Sequence, residues 1–143
     1  MAMGDYVAEL SLEMAEKAVT AARAKAKELG VAMSVTVVDA AGRVVMTIRG
    51  DGTGFFTPES TRGKAVAAAT LRRPTAELGP IGNNPMVLTV YANLVPGGFW
   101  PASGGYPVVR DSRIIGAVGC GGASGEQDHE CAKAGAEALS GTQ

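Results

Sequence analysis

The sequence of 143 residues is poor in the side chains that most often bind metals and cofactors, because it holds one histidine and two cysteines. Cys120 and Cys131 do not form a CxxC spacing, so neither a zinc site nor a thioredoxin-like redox pair is indicated. We expect reduced, buried thiols and no metal site. Aromatic residues make up only 5% of the chain, so a closely packed core of small and aliphatic residues is predicted.

The sequence also has no strong excess of positive or negative charge and no long apolar run. A formal net charge of −1 without a basic stripe argues against a nucleic-acid partner. No apolar run approaches ~20 residues, and the opening MAMGDYVAEL has no apolar core of signal-peptide length. We therefore expect no membrane segment and a cytoplasmic location. The apolar fraction of 46% and the length fit one globular domain over residues 1–143.

Hydrophobic periodicity predicts alternating helices and hairpins. The first predicted elements are a helix over Ser11–Leu29 closed by Gly30 and a hairpin of residues 31–38 and 44–48. A second helix, capped by Thr57, reaches Leu71, and a second hairpin is built on Val108-Val109 and Ile114-Ile115. The last helix begins at a Ser124–Gln127 capping box and reaches Leu139. Residues 75–103 are irregular, and 86–94 fits a helix or a strand equally. Hairpins form antiparallel pairs, so the fold class is α+β with a helix-covered antiparallel sheet.

The second predicted helix contains Ala65–Ala69, which is apolar on every side. A helix that is apolar all round is buried on both flanks. We expect the sheet on one flank and a second copy of the chain on the other, and therefore a homo-oligomer.

Glycines flank the second hairpin, with Gly104 and Gly105 before it and Gly121 among those after it. A glycine at a strand end allows a sharp bend or a close approach to the backbone. We expect these three glycines to form a pocket wall with exposed backbone N–H groups. A phosphate loop over 119–125 is disfavoured, because the spacing is not GxGxxG and because Glu126 and Asp128 already supply negative charge that would repel an anion. Asp128 should instead accept loop amides.

The start of the second helix supplies the candidate catalytic groups. Lys64 with Glu59 would form a general acid–base pair, and Arg62 with Lys64 would bind an anionic ligand opposite the glycines. The alternative is that Lys64 and Arg62 are solvated or bridge subunits. If Lys64 acts on a ligand, Lys64→Met should abolish binding and leave the melting temperature unchanged.

Most aromatic residues fall in or beside glycine-rich loops, which favours a planar ligand with Trp100 and Tyr106 among its contacts. The alternative is that these rings pack onto the core and hold the ends of the loops against it. The residues concerned are Phe55, Phe56, Tyr91, Phe99, Trp100 and Tyr106.

Several motifs in a fixed order resemble the GlcG/HbpS family over nearly the whole chain. They are VTVVDAAGRVV, Asp51-Gly52, GKAVAAA with Lys64, Arg73-Pro74-Thr75, GGYPVV, IIGAVGCGG and GEQDHECAKAGAEAL. That family includes haem-binding and haem-degrading proteins and the C-terminal domain of PduO-type proteins. The resemblance implies a profilin-like fold, an oligomer built from dimers and a small-molecule pocket near the glycine-rich segments.

Haem is the cofactor that the resemblance makes possible, although the sequence itself indicates none. The family's haem histidines lie nearer the N-terminal half, where this sequence has none. Its one histidine, His129, shares a helix face with Lys133 and Glu137, so we expect it to be solvated and not an axial ligand. Tyr91, Tyr106 and Cys120 remain alternatives for haem ligation.

These residues and the family resemblance predict two functions most directly. The first is binding of a planar or anionic small molecule at a pocket near a subunit interface. The alternative is a cofactor-independent hydrolase, tautomerase or decarboxylase acting on a small organic acid, because relatives accompany aromatic catabolism. A purely structural oligomer is a third possibility. With a single histidine on an expected polar face, a Ser–His–Asp triad is not indicated.

Overall fold

The computed structural model describes residues 8–140. Its helices and strands, in chain order, are α1 Leu12–Leu29, β1 Ser34–Asp39, β2 Val44–Ile48, α2 Thr57–Leu71, α3 Pro85–Leu94, β3 Gly105–Arg110, β4 Arg113–Gly121 and α4 Gly125–Glu137. Two 3-10 turns, Thr75–Glu77 and Gly79–Asn83, precede α3. None of the helices in this part of the chain is long and apolar enough to cross a membrane.

The four strands form one antiparallel sheet in the order β2-β1-β4-β3. Helices α1 and α4 pack on one face, and α2 packs on the other. Every residue of β1 is buried because this strand is covered on both faces. The predicted α+β class and its helix–sheet–helix layering are confirmed.

The larger core lies between the sheet and α1 with α4. Val35, Val37, Ile115 and Val118 are buried there as the alternation predicts, whereas Val45 is half-buried. The smaller core beneath α2 is built from short side chains, namely Val38, Ala65, Val66, Ala68 and Ala117. Short side chains let α2 lie close to the sheet.

Several local predictions hold at the ends of elements. Ser11 caps α1, and Gly30 closes it with a left-handed φ of 73°. The second hairpin turns at Asp111 and Ser112, whose φ values of 52° and 62° are those of a type I′ turn. Thr57 is not the cap of α2, however: it is the first helical residue, and its hydroxyl donates to the Gly54 carbonyl at 2.7 Å.

The apolar stretch Ala65–Ala69 is covered without a second copy of the chain. Residues Ala65 to Ala68 are buried and Ala69 is half-buried. The flank away from the sheet is covered in part by the segment before β3, where the Trp100 amide donates to the Gly63 carbonyl at 3.1 Å. Trp100 also lies where a side chain at Gly63 would stand. The argument for an oligomer from this stretch was therefore wrong, because the chain itself supplies the cover.

Two glycines set the distance between α2 and the sheet. A Cβ atom at Gly119 would collide with the Thr61 carbonyl oxygen, and one at Gly105 would collide with that of Lys64. Gly105 and Gly119 are cross-strand partners, so they form one bare patch under the helix. The glycines around the second hairpin thus serve helix–sheet packing first.

Hydroxyl groups join α2 to β1 inside this narrow interface. Thr36 and Thr61 are hydrogen-bonded through their side chains at 2.7 Å, and Ser34 and Thr57 are joined in the same way at 2.7 Å. Each pair is buried, and Thr61 also donates to the Thr57 carbonyl at 2.7 Å. These bonds are directional, so they fix the position of α2 along β1 as well as its distance from the sheet.

Gly119→Ala should destabilise the fold because the added methyl group has no room beneath Thr61. We expect the free energy of unfolding to fall by about 1–3 kcal/mol, the usual cost of overpacking. Gly82→Ala is the matched control, since a Cβ atom there meets ordinary contacts at 3.4 Å and 3.5 Å. Urea unfolding of both variants measures the difference, and equal midpoints would contradict the close packing of α2.

Candidate functional site

A cavity of about 290 Å³ lies where β4 ends and where α2 and α4 begin. It is lined by Gly54, Phe56, Thr57, Ser60, Lys64, Trp100, Gly121, Gly122, Ala123 and Asp128. We call it the Lys64 cavity. It combines two aromatic rings, an ammonium group and a carboxylate, which is the mixture expected of a small-molecule site.

The Lys64 side chain is the buried charge at this cavity, with 5% of the residue exposed. Its Nζ donates to Asp128 Oδ2 at 3.0 Å and to the Cys120 carbonyl at 3.0 Å. It also lies 5.3 Å from the centroid of the Trp100 ring, within range of a cation–π contact. An ammonium group has three hydrogens, and the described residues accept two of them. The third N–H therefore has no acceptor among the described residues.

The side chain of Lys64 lies beside two glycines, Gly104 and Gly121. A Cβ atom at Gly104 would lie 3.0 Å from Lys64 Nζ, and one at Gly121 would lie 3.5 Å from it. Gly104 lies just before β3 and Gly121 ends β4, so both are at the same end of the sheet. Lys64 thus extends from α2, on one face, to Asp128 of α4, on the other.

Asp128 serves both the loop and the lysine. Its Oδ1 accepts the Ala123 amide at 3.0 Å, which confirms the expected role as a loop acceptor. Its Oδ2 holds Lys64, a role that the sequence analysis did not assign. Burial raises the pKa of Asp128 above its ordinary value of 3.8, although the Lys64 ammonium and the Ala123 amide lower it. Lys64 therefore lowers the free energy needed to keep the buried Asp128 carboxylate ionised.

The N-termini of two helices border the cavity. Phe56 and Thr57 begin α2, while Ala123 precedes the Ser124 cap of α4. The predicted capping box is present, with Ser124 and Gln127 bonded reciprocally. Because the Lys64 and Asp128 charges compensate each other, the N-terminal amides of the two helices add positive potential at the cavity, which Glu59 and Glu126 in their first turns partly offset.

The structure brings together only some of the residues selected from the sequence. Lys64, Trp100 and Gly121 line the Lys64 cavity. Glu59 and Arg62 instead line a separate cleft with Val44, Thr47 and Pro58. Both are exposed, and Arg62 Nε donates to the Gly97 carbonyl at 2.6 Å. The acidic partner of Lys64 is therefore Asp128 and not Glu59.

The remaining candidates lie outside the lining of the Lys64 cavity. The Gly105 amide is not exposed as expected, because it donates to Thr75 Oγ1 at 2.8 Å. Gly104 is buried behind the lysine, and its carbonyl accepts the Cys120 amide at 2.8 Å. Tyr106 is on the opposite face of the sheet, where it packs against the larger core.

His129 is half-buried against Tyr106, with ring centroids 5.6 Å apart. The expectation of a solvated histidine was wrong, because β3 passes beside this face of α4 and covers it. Its Nδ1 is buried and has no hydrogen-bond partner among the described residues. His129 does not line the Lys64 cavity.

Comparison with known proteins identifies the family. A family model described as haem degrading protein HbpS-like matches residues 10–137. This chain belongs to that family. Protein GlcG of Escherichia coli K12 is 34% identical over 110 residues, which cover 77% of this chain and 79% of GlcG. The predicted membership is confirmed.

Solved structures of HbpS-like relatives share the fold over nearly its full length. A double mutant of Streptomyces reticuli HbpS is 34% identical with a TM-score of 0.80, covering 99% of this chain and 96% of that one. The PduOC–haem complex is 30% identical with a TM-score of 0.78, covering 93% and 96%. The antiparallel sheet with helices on both faces is thus that of the family.

Haem does not fit the Lys64 cavity. Its lining contains no histidine, cysteine, methionine or tyrosine to bind the iron. Cys120 turns only its carbonyl toward Lys64, and burial raises the pKa of its thiol well above the ordinary value, which disfavours a thiolate ligand. Both cysteines are free and buried, as predicted.

Lys64→Met should destabilise the protein at neutral pH, because it leaves the Asp128 carboxylate buried without its partner. This replaces the earlier expectation that the variant keeps its melting temperature. Breaking a buried pair in this way costs about 3–5 kcal/mol. The double variant Lys64→Met/Asp128→Asn removes both charges and keeps an oxygen for Ala123, so it should recover most of the loss.

The loss in Lys64→Met should shrink at low pH. The pKa of Asp128 is already raised in the folded protein, and removing the ammonium raises it further. The folded variant then binds a proton more tightly than the unfolded chain. Its stability is greatest below the ordinary pKa of the carboxyl and is lost as the pH rises through the raised value. Melting temperatures between pH 4 and pH 8 measure this; a pH-independent deficit would contradict the pairing.

Proposed function

We propose that this protein binds a small planar carboxylate in the Lys64 cavity. The observation that carries the proposal is the buried Lys64 ammonium, which has one N–H uncommitted and lies beside the Trp100 ring. A carboxylate oxygen accepts such a hydrogen in a charge-assisted bond. The ring attached to that carboxylate would pack on Trp100.

The size and walls of the cavity favour a ligand of about one ring. Its volume of about 290 Å³ is near the lower end of the range for small-molecule pockets. Phe56 and Trp100 contribute flat apolar surface, and they are 58% and 43% exposed without a ligand. A planar molecule packed against these rings would bury that surface and be stabilised by aromatic stacking.

The charge of the site favours an anion. The Lys64–Asp128 pair is neutral as a whole, so a ligand carboxylate meets no net negative side-chain charge from it. The beginnings of α2 and α4 add positive potential at the cavity. Lys64 is already held in place by two acceptors, so little side-chain entropy is lost when it binds a third.

The relatives support a planar anionic ligand in this fold. One HbpS-like relative was crystallised with haem, which is a flat molecule with carboxylate groups. For this chain we propose the same ligand chemistry in a smaller molecule, bound through the carboxylate and the ring without ligation of iron.

The same pair favours a second function, a cofactor-independent enzyme that moves a proton on a small organic acid. Asp128 Oδ2 and Lys64 Nζ are 3.0 Å apart, and both border the cavity. Burial raises the pKa of Asp128, which makes its carboxylate a stronger base. Exchange of carbon-bound hydrogen for deuterium in a bound 2-oxo acid, followed by NMR, separates this function from binding alone.

Fluorescence of Trp100 gives a direct test of binding, because the chain has a single tryptophan. Benzoate should change the emission and saturate, whereas benzamide, its neutral counterpart, should bind at least about tenfold more weakly for lack of the charge-assisted bond. Calorimetry checks both titrations. Equal affinity for the two probes, or no binding of benzoate at millimolar concentration, would contradict the proposal.

Variants separate ligand binding from stability. Lys64→Met/Asp128→Asn should keep the fold and lose benzoate binding by tenfold or more. Arg62→Ala is the matched control, because Arg62 is exposed on the separate cleft and should leave the affinity unchanged. If the double variant binds benzoate like the parent, the ligand site is elsewhere.

We also expect His129 not to be an axial haem ligand, because its ring packs against Tyr106 and it does not line the Lys64 cavity. Haem titration of the parent and of His129→Ala, followed at the Soret band, tests this. A Soret shift that the substitution abolishes would overturn it.

A further inference from the structure

Lys64 is the one buried lysine of residues 8–140, and binding of a carboxylate uses only its charge and its N–H. A primary amine is also a nucleophile, and it condenses with a carbonyl carbon to form an imine once it has lost a proton. This chemistry needs a base beside the ammonium group, an open direction at the nitrogen and surroundings that exclude bulk water. The Lys64 cavity provides these features.

Asp128 is the base beside the lysine. Its Oδ2 lies 3.0 Å from Lys64 Nζ, within the range over which a proton is transferred directly. Burial raises the pKa of Asp128 above its ordinary value, so its carboxylate takes up a proton more readily than an exposed one. The Ala123 amide donates to Oδ1 at 3.0 Å, which holds the carboxylate with Oδ2 at the lysine. The proton that Lys64 must lose therefore has an acceptor in place.

The nitrogen of Lys64 also has room for a new bond. Two of its hydrogens are donated to Asp128 and to the Cys120 carbonyl, so the third position is the one at which a carbon atom can attach. Lys64 lines the cavity together with Trp100, whose ring centroid is 5.3 Å from Nζ. A Cβ atom at Gly121 would lie 3.5 Å from Nζ, so the glycine keeps this space open. A carbonyl carbon that enters the cavity can therefore reach the nitrogen.

We propose that Lys64 forms a protonated imine with a 2-oxo acid, which has a ketone beside its carboxylate. This inference rests on the proposed function, because the 2-oxo acid occupies the same cavity. Asp128 takes one proton from the ammonium group, and the free amine adds its lone pair to the ketone carbon. Asp128 then relays protons from the nitrogen to the former ketone oxygen, the C–O bond breaks, and water leaves as the C=N bond forms. Of the three nitrogen hydrogens, two leave in the water and one stays on the imine, and no oxidant or reductant is consumed.

The protonated imine preserves the charge balance of the site. Lys64 carries one positive charge before the reaction and one after it, and Asp128 ends as a carboxylate. Neither buried charge is therefore left unpaired. The remaining N–H can donate to Asp128, and the Trp100 ring stays beside the cation. This cation withdraws electrons from the adjacent C–H bond, which is the activation that the second function, proton movement on a small organic acid, requires.

Reductive trapping with pyruvate tests the imine on the full chain. Sodium cyanoborohydride reduces an imine to a stable secondary amine, so the protein should gain one carboxyethyl group, which peptide mass mapping should place on Lys64. We expect at least about tenfold more label on Lys64 than on the exposed Lys27, because Lys64 has a base held beside its nitrogen. Label spread equally over the lysines, or none on Lys64, would overturn the proposal.

An exchange of lysine for arginine separates the imine from the charge pair. Lys64→Arg keeps a positive charge beside Asp128, but its guanidinium stays protonated, so the label should be lost while circular dichroism is unchanged. Lys27→Arg is the matched control and should keep the full label on Lys64. A folded Lys64→Arg protein that gains as much label as the parent would overturn the imine. If this variant does not fold, the peptide map of the parent decides the question by itself.

Benzoate distinguishes the imine from the proposed binding function. If benzoate occupies the cavity, it should suppress labelling of Lys64, and benzamide at the same concentration should suppress it less. Saturable benzoate binding without a pyruvate label on Lys64 would overturn the imine and leave the binding function intact. Label on Lys64 without benzoate binding would support the imine and contradict the planar carboxylate as the ligand.

Discussion

The close approach of α2 to the sheet is the constraint on which the rest of the structure depends. Helix and strands come within contact of backbone atoms because Gly105 and Gly119 leave the surface bare. Any larger residue at either position would push the helix outward. The position of α2 in turn determines how far the Lys64 side chain reaches past the end of β4.

Because Lys64 reaches across that end, an ammonium group and a carboxylate from opposite faces of the sheet meet at one cavity. Neither group would be tolerated there alone, since an unpaired charge is costly to bury. As a pair they form a rigid polar element beside two aromatic rings. The stability of the domain and the ligand binding that we propose for the Lys64 cavity therefore depend on the same two residues.

Local signals in the sequence predict most of the fold. Gly30 ends a helix, Ser124 and Gln127 start one, and the two hairpins are evident from their alternation. The helical state of α3 could also have been recognised, since Asn84 before Pro85 is a cap followed by a proline at the first helical position. These features depend only on neighbouring residues.

The site was harder to predict because its parts are distant in sequence. Glu59 is five residues from Lys64 and was chosen for that proximity, whereas Asp128 is far along the chain. Only the order of the strands, with β4 between β1 and β3, brings α4 to the lysine. In the same way, the cover of Ala65–Ala69 depends on where the loop containing Trp100 folds back.

The central position of β4 also constrains how the protein is made. On the ribosome, β1 and β2 can pair early, but β1 cannot pair fully with β4 until residue 121 has emerged. Lys64 then lacks a counter-charge until α4 follows. A nascent chain that stops before Asp128 would have to bury a lone ammonium, so the layers should close late and together, with the last helix completing the domain.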